Sequence, residues 1–376
     1  MSAITGPLRV WSFIKTAASY STKTPRLHPI HTPLHFTCRR NLSTMPAAGV
    51  TTSSFYLPDI NIAPWLEDPG SPSGQHVVNE VRRACTSTGF FQLTGHGFPP
   101  AVVKDIFAAA AKFFALPKEI KQDLNFTKNA GFRGYELIGA QVYEADVLPD
   151  LKEGFLAGID LPRDDARVQN KRFFAGQNVW PSPDVLPYSE FRTPVETYYK
   201  SIMQLCWTVM DLIAATLPYG PNIFDEWKAH EPACPLRLLH YPPTPKHVAG
   251  KTRQLGSSAH TDFGGVTLLL QDSHDGLEIL DRETRSWVPV PPKPGAFVIN
   301  VADMMTMITG GEYKSSMHRV INQNETDRYS VVFFMDGNVD YKLRRLDKIG
   351  QPVGEDEELI TVEEYMLGKR NTTYVK

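Results

Sequence analysis

Two histidines and one aspartate have the residue types and the spacing of a metal site. His260 and Asp262 are separated by one residue at the head of an apolar run, and His318 lies far downstream. In a strand, residues i and i+2 point to one face, so an imidazole and a carboxylate could share an ion. Two histidines and one carboxylate form the ligand set of non-haem Fe(II) sites, which leaves three coordination positions open. His-x-Asp alone is a weak signal, because a single histidine before a strand is more often a surface or core residue.

A basic and a hydroxyl side chain near the head of a later strand could bind a carboxylate. Arg328 and Ser330 share one face of this predicted strand by the same period of two. A guanidinium binds a carboxylate through paired hydrogen bonds, and a neighbouring hydroxyl adds another donor. Tyr241 could add a phenolic hydroxyl. A surface arginine at a strand end and an edge-strand tyrosine are the alternatives, and the residue types leave both open.

The elements that must position these residues are indicated by hydrophobic periodicity. Apolar residues at helical spacing predict helices over residues 76–88, 100–116 and 190–217. From Leu236 onward, short apolar runs alternate with turn residues, which predicts an all-β barrel or sandwich. Helices followed by strands favour a mainly β fold with flanking helices, in which an antiparallel jelly roll is backed by helices.

The ordered motifs resemble those of the Fe(II)/2-oxoglutarate-dependent dioxygenase superfamily. The motifs are His-x-Asp, a distant histidine in Ser-x-x-His-Arg-Val, and Arg-x-Ser. Gly89-Phe90-Phe91, Gly95-His96-Gly97 and Phe113-Phe114-Ala115-Leu116-Pro117 resemble the isopenicillin N synthase-like branch. The resemblance covers residues 55–370. Within the branch, the chain is similar to fungal non-haem iron oxygenases of the citrinin-pathway kind, which oxidise a methyl group on an aromatic polyketide.

This resemblance implies a double-stranded β-helix core and a complete set of cofactor-binding residues. Fe(II) would be held by His260, Asp262 and His318. 2-Oxoglutarate would bind as co-substrate with O2, and ascorbate could act as an accessory reductant. The far carboxylate of 2-oxoglutarate would be bound by Arg328, Ser330 and Tyr241.

The resemblance also implies where a substrate would bind. Similar enzymes place pocket residues in segments that precede or border the barrel, and these positions here are Phe132, Tyr135, Lys152, Phe155 and Phe263. Aromatic side chains there would suit a planar aromatic substrate. A structural role in the core or at the surface is the alternative for each of them.

The expected function is therefore that of an oxygenase that hydroxylates or further oxidises a C–H bond. A methyl group on an aromatic polyketide of fungal secondary metabolism, including mycotoxin biosynthesis, is the expected target. Two alternatives stay open: an iron oxidase or cyclase that carries Arg-x-Ser for another purpose, and a non-catalytic jelly-roll binding protein. A zinc hydrolase is disfavoured, because no spare glutamate base is identifiable near His-x-Asp.

Composition limits the other classes of function. The formal net charge is −2, which argues against nucleic-acid binding as the main role. Four widely spaced cysteines do not indicate a disulfide scaffold, and no apolar run is long enough for a membrane span. The expected partner is a small molecule.

The charge is distributed unevenly and suggests a domain organisation. The first acidic residue is Asp59, so residues 1–58 carry +6 and the remainder carries −8. We expect residues 1–50 to be a disordered basic leader, either a mitochondrial transit peptide or a gene start extended upstream of Met45. A start at Met45 would give a cytoplasmic protein. Residues 55–170 would form the N-terminal helical and strand region, and residues 171–376 the support helix and jelly-roll core.

Overall fold

A computed structural model describes residues 55–141, 147–246, 253–354 and 359–373. The basic leader predicted over residues 1–50 lies outside the described residues and stays a prediction. None of the helices in the described segments combines the length and the apolar character that crossing a membrane requires.

The helices are concentrated in the first half of the described chain. Helix α2 begins at Pro72, where the Ser71 hydroxyl caps it by accepting a hydrogen bond from the Gly74 amide. The helices are α1 Ala63–Glu67, α2 Pro72–Ser87, α3 Pro100–Phe114, α4 Lys118–Asp123, α5 Ala166–Gln169, α6 Arg192–Ala215, α7 Asp225–Lys228, α8 Asp303–Ile308 and α9 Val362–Thr373.

The strands are short and extend from the start of the described chain to its last third. They are β1 Asp59–Asn61, β2 Phe90–Thr94, β3 Gly134–Glu136, β4 Glu153–Ala157, β5 Leu236–Tyr241, β6 Ser257–His260, β7 Val266–Gln271, β8 Leu277–Leu280, β9 Trp287–Pro289, β10 Phe297–Val301, β11 His318–Val320 and β12 Arg328–Met335.

Two sheets build the core. The larger has the order β1-β2-β10-β7-β12-β5-β4-β3, and the smaller has the order β6-β11-β8-β9. Buried side chains from both sheets, such as Leu239 and Val332 from the larger and Ile279 and Val320 from the smaller, form one apolar cluster. This is the expected jelly roll, and β3 and β4 extend its larger sheet.

Helix α6 supports the larger sheet. It packs against α2 and α3, and α3 also contacts β5 and β12. Its apolar stripe, which includes Val195, Ile202 and Val209, is fully buried in the main core. The support layer holds one face of the larger sheet, whereas the opposite face turns toward the smaller sheet.

Candidate metal centre and its two cavities

The three predicted ligands come together because of one strand pairing. Strands β6 and β11 are antiparallel partners, and their register places His318 opposite His260. Asp262 lies two residues beyond the end of β6, and its Oδ1 is 3.6 Å from Nε2 of each histidine. One ligand atom from each residue lies within 4.8 Å of the others. These three side chains can hold a single metal ion.

Neighbouring groups orient all three side chains toward a common point. Nδ1 of His260 donates to the Ser258 carbonyl at 2.7 Å, and Nδ1 of His318 donates to the Ser316 carbonyl at 3.2 Å. Both Nε2 atoms are therefore left for a metal. Oδ2 of Asp262 accepts hydrogen bonds from Thr267 Oγ1 at 2.6 Å and Asn300 Nδ2 at 2.9 Å. Oδ1 consequently faces the histidines.

The electrostatics of the cluster favour the metal-binding protonation states. Burial, reinforced by the neighbouring His318, lowers the pKa of His260 to about 4, so this imidazole is neutral at neutral pH. Burial opposes ionisation of Asp262, but the two imidazoles and the hydrogen bonds from Thr267 and Asn300 outweigh it, and its pKa is lowered. A neutral imidazole and an ionised carboxylate are the forms that bind metal. The donor set fits Fe(II).

A cavity of roughly 570 Å³, here called the arginine cavity, extends from the three ligands to Arg328. The register of β12 on β5 places Arg328 opposite Tyr241, and Ser330 follows on the same face. Burial raises the pKa of Tyr241, whereas the charge of Arg328 and the adjacent Ser330 side chain oppose that rise, so the three polar groups adjoin. Nη2 of Arg328 donates to Gln271 Oε1 at 2.8 Å.

Two polar atoms of the arginine cavity lack partners. Nη1 of Arg328 and Oγ of Ser330 are buried and make no hydrogen bond of acceptable geometry with any residue that the structure describes. A buried donor without a partner costs about 1–3 kcal/mol, more when it is charged. A carboxylate would satisfy both atoms at once.

A second cavity, of roughly 870 Å³, adjoins the ligands and is here called the phenyl cavity. His260, Asp262, Arg237 and Phe334 border both cavities, so the metal centre lies where the two meet. Six phenylalanine rings line the phenyl cavity: Phe126, Phe132, Phe173, Phe174, Phe263 and Phe334. A flat apolar molecule would fill such a space beside a bound ion.

The five predicted substrate residues are divided between different environments. Phe132 and Phe263 line the phenyl cavity. Lys152 borders the arginine cavity instead, where it is ion-paired with Asp150 and donates to Ser257 Oγ at 3.0 Å.

Tyr135 and Phe155 line neither the arginine cavity nor the phenyl cavity. They are cross-strand partners in β3 and β4 and pack on Phe113 of α3. The Tyr135 hydroxyl donates to Glu153 at 2.5 Å. Both side chains are buried in the main core, which favours a structural role, and direct substrate contact stays a prediction for them.

Several residues at the site were missed at the sequence level. Thr267 and Asn300 orient Asp262, while Asp336 and Arg370 line the phenyl cavity. Thr267 is a polar residue inside an apolar strand, and Asn300 likewise interrupts the apolar strand 297–301. That interruption is a signal that could have identified both. Nothing in the local pattern marks Asp336 or Arg370.

Comparisons with known proteins agree with this geometry. Residues 57–183 match the family model of the non-haem dioxygenase N-terminal region in morphine synthesis, and residues 232–337 match the 2OG-Fe(II) oxygenase superfamily. A 2-oxoglutarate-dependent dioxygenase of Didymella fabae is 83% identical over 88% of this chain and all of its own length. The 2-oxoglutarate-dependent dioxygenase citB of Monascus ruber is 60% identical over 86% of this chain and 97% of its own.

A solved structure supports the same assignment. A full-length Neurospora crassa protein, solved in complex with alpha-KG, superposes with a TM-score of 0.70 and 25% identity, covering 86% of this chain and 98% of the other. The chain belongs to the 2OG-Fe(II) oxygenase superfamily and is a dioxygenase that uses Fe(II), 2-oxoglutarate and O2 to oxidise C–H bonds. The superfamily, the jelly-roll fold and these cofactors, which were predicted from the sequence, are thereby confirmed.

Proposed function

We propose that His260, Asp262 and His318 bind Fe(II) and that Arg328, Ser330 and Tyr241 bind the far carboxylate of 2-oxoglutarate. The observation that supports this assignment most strongly is the pair of unpartnered buried atoms, Nη1 of Arg328 and Oγ of Ser330, in the cavity that ends at the triad. One carboxylate of 2-oxoglutarate would satisfy the buried arginine, and the other end of the molecule would then face the metal ligands.

We further propose that the substrate is an aromatic polyketide of fungal secondary metabolism and that a ring methyl group is oxidised. The relatives support a small-molecule substrate in general. The phenyl cavity supports an aromatic one, because six phenylalanine rings border a space that adjoins His260 and Asp262. Such a lining favours a planar apolar ring by area burial and by ring–ring contacts.

Some residues of the chain would bind the metal, and others exclude water from the space beside it. When bound, Fe(II) and 2-oxoglutarate would supply O2 activation: one oxygen atom would leave in succinate, carbon dioxide would be released and the other oxygen atom would enter the substrate C–H bond. The triad would hold the metal through three protein atoms and leave its remaining coordination positions to small molecules. Thr267 and Asn300 keep Oδ1 of Asp262 directed at the metal. The phenyl rings exclude water beside it.

The experiment uses purified full-length protein with Fe(II), 2-oxoglutarate, ascorbate and a ring-methylated aromatic compound such as methyl orsellinate in air. Mass spectrometry should show a product heavier by one oxygen atom, together with an equal amount of succinate. Omission of 2-oxoglutarate should stop both. A product that forms without 2-oxoglutarate would favour the iron oxidase alternative.

A separate anaerobic titration tests the non-catalytic alternative. Fe(II) and 2-oxoglutarate together should give a visible charge-transfer absorbance that neither gives alone. Folded protein without this absorbance would favour the binding protein and contradict the proposed ligand set.

A further inference from the structure

The cations at the phenyl cavity and on helix α9 have carboxylate partners, with one exception among the described residues. Arg237 pairs with Glu136, and Lys369 binds Asp303 Oδ2 at 2.9 Å. Arg370 also lines the cavity, but its Cζ lies 3.8 Å from the centre of the Phe132 ring and no carboxylate of the described chain pairs with it. A cation stacked on a ring keeps its in-plane donors available for an anion.

Helix α9 is anchored, so the position of Arg370 is defined. Asp303 accepts hydrogen bonds from Tyr365 and Lys369. At the start of the helix, Glu363 accepts from Arg172 Nε at 2.8 Å and from the Phe173 amide at 2.6 Å. These contacts hold α9 against the segments that surround the cavity. Arg370 therefore belongs to a helix whose position these contacts define.

The ring beneath Arg370 is held by an unusual backbone. Phe132 has a φ of 56°, in the left-handed region that side-chain-bearing residues rarely adopt, and so does Phe174. Both rings line the phenyl cavity. Such conformations cost about 1–3 kcal/mol and are concentrated at ligand sites. The two residues with a strained backbone, Phe132 and Phe174, are thus part of the wall of the phenyl cavity.

A carboxyl group provides the second polar point of the cavity. Asp336 is only 2% exposed and lines the phenyl cavity, where its Oδ1 lies so close to Gly264 that a Cβ added there would clash with it. Burial, with a smaller contribution from the charge of Asp262, raises the pKa of Asp336 to about 8. The protonated carboxyl can donate a hydrogen bond to a ligand oxygen.

We propose that Arg370 binds an ionised oxygen group on the aromatic substrate and that Asp336 hydrogen-bonds a second oxygen of the same molecule. The inference rests on the proposed function and specifies its substrate class: an aromatic ring that carries a carboxylate or an ionised phenol. Two polar contacts and the phenyl walls fix the ring in the cavity, and therefore fix which C–H bond meets the metal.

Binding is tested without turnover, by anaerobic calorimetry on the Fe(II)- and 2-oxoglutarate-loaded protein. The probes are orsellinate, a carboxylate; dinitro-ortho-cresol, a phenolate; and methyl orsellinate, which is uncharged at neutral pH. We expect at least one anion to bind about tenfold more tightly than the ester, as a charge-assisted hydrogen bond provides. The anion that binds more tightly than the ester shows whether Arg370 prefers a carboxylate or a phenolate.

The variants assign that preference to the residue. Arg370→Gln should abolish it, and Arg370→Lys should retain part of it. The exposed control Arg163→Gln should leave it unchanged. The charge-transfer absorbance with Fe(II) and 2-oxoglutarate should be the same in all of these proteins, which shows that the variants are folded. Equal binding of all three probes, no binding of any, or a preference that survives in Arg370→Gln would overturn the proposal.

Asp336 is tested as a positioning residue by product analysis. Asp336→Asn keeps a hydrogen-bond donor and should keep product and succinate in equal amounts. Asp336→Ala should form succinate in several-fold excess over oxidised product, because the ring is no longer held at the metal. Coupling that is unchanged in Asp336→Ala would overturn its role. Selective anion binding without any oxidised product would instead refute the proposed function and leave the Arg370 contact intact.

Discussion

The two cavities that meet at the metal centre are built in different ways. The arginine cavity is a product of strand register, since Arg328 and Tyr241 are opposite each other on neighbouring strands. The phenyl cavity combines distant parts of the chain: Phe132 from a turn, Asp336 from the residue after β12, and Arg370 from the C-terminal helix. Hydrogen-bonded strands fix one cavity, and side-chain packing fixes the other.

The two cavities therefore differ in how readily substitutions can change them. A sheet resists local change, because a one-residue slip in register moves every side chain to the opposite face. Turns and a terminal helix tolerate substitution much better. On the proposed assignment, the co-substrate binds in the cavity fixed by strand register, and the substrate binds in the cavity whose walls can change without disturbing the sheet.

The strongest test of the comparison removes what both cavities share. His260→Ala should reduce iron occupancy and activity together, with activity lower by about a thousandfold or more, since a metal ion supplies several kcal/mol of catalysis and each 1.4 kcal/mol is about tenfold. Iron analysis and product formation measure the two effects. The exposed histidine variant His76→Ala is the matched control. Full iron occupancy in His260→Ala would remove it from the ligand set.

The next test separates the two cavities. Arg328→Ala should raise the 2-oxoglutarate requirement by roughly 30- to 1,000-fold, because loss of a buried charged contact costs about 2–4 kcal/mol. Iron occupancy and the affinity for the aromatic substrate should not change. Titration of initial rates against each substrate gives both values. If the aromatic substrate is affected equally, the two cavities do not act independently.

A smaller effect is expected for the residues that orient the shared aspartate. Thr267→Val removes the 2.6 Å hydrogen bond to Asp262 Oδ2 and should weaken Fe(II) binding by about 10- to 100-fold. Thr267→Ser keeps the hydroxyl and should bind iron normally. Competition with a chelator of known affinity measures both. Equal iron affinity in the two variants would mean that Asn300 alone suffices.

The arginine cavity was largely predictable from the sequence. Period-2 alternation correctly predicted that Arg328 and Ser330 share a face, and β5 begins at Leu236, where the predicted strand-rich region begins. The unpredicted element is β6, because Gly256-Ser257-Ser258-Ala259 has none of the β-branched residues that mark strands. The pairing of β6 with β11 is nevertheless what places His260 opposite His318.

The phenyl cavity was only partly predictable, for a physical reason. Strands β3 and β4 are buried on both faces, so alternation does not tell which face meets the cavity, and the structure places Tyr135 and Phe155 in the main core. Arg370 and Phe132 are adjacent in space although more than half of the chain separates them. Only tertiary packing brings such residues together, and no local pattern encodes it.

The smallest expected effect concerns the anchor of α9. Lys369→Met removes a partly exposed ion pair with Asp303, worth about 0.5–1 kcal/mol, and should therefore raise the KM for the aromatic substrate by about two- to fivefold. The KM for the co-substrate 2-oxoglutarate should stay the same, because the arginine cavity does not include α9. Lys200→Met, an exposed change on α6, is the matched control. If both KM values rise together, α9 stabilises the whole site. The two cavities would then not be independent of each other, contrary to the comparison made above.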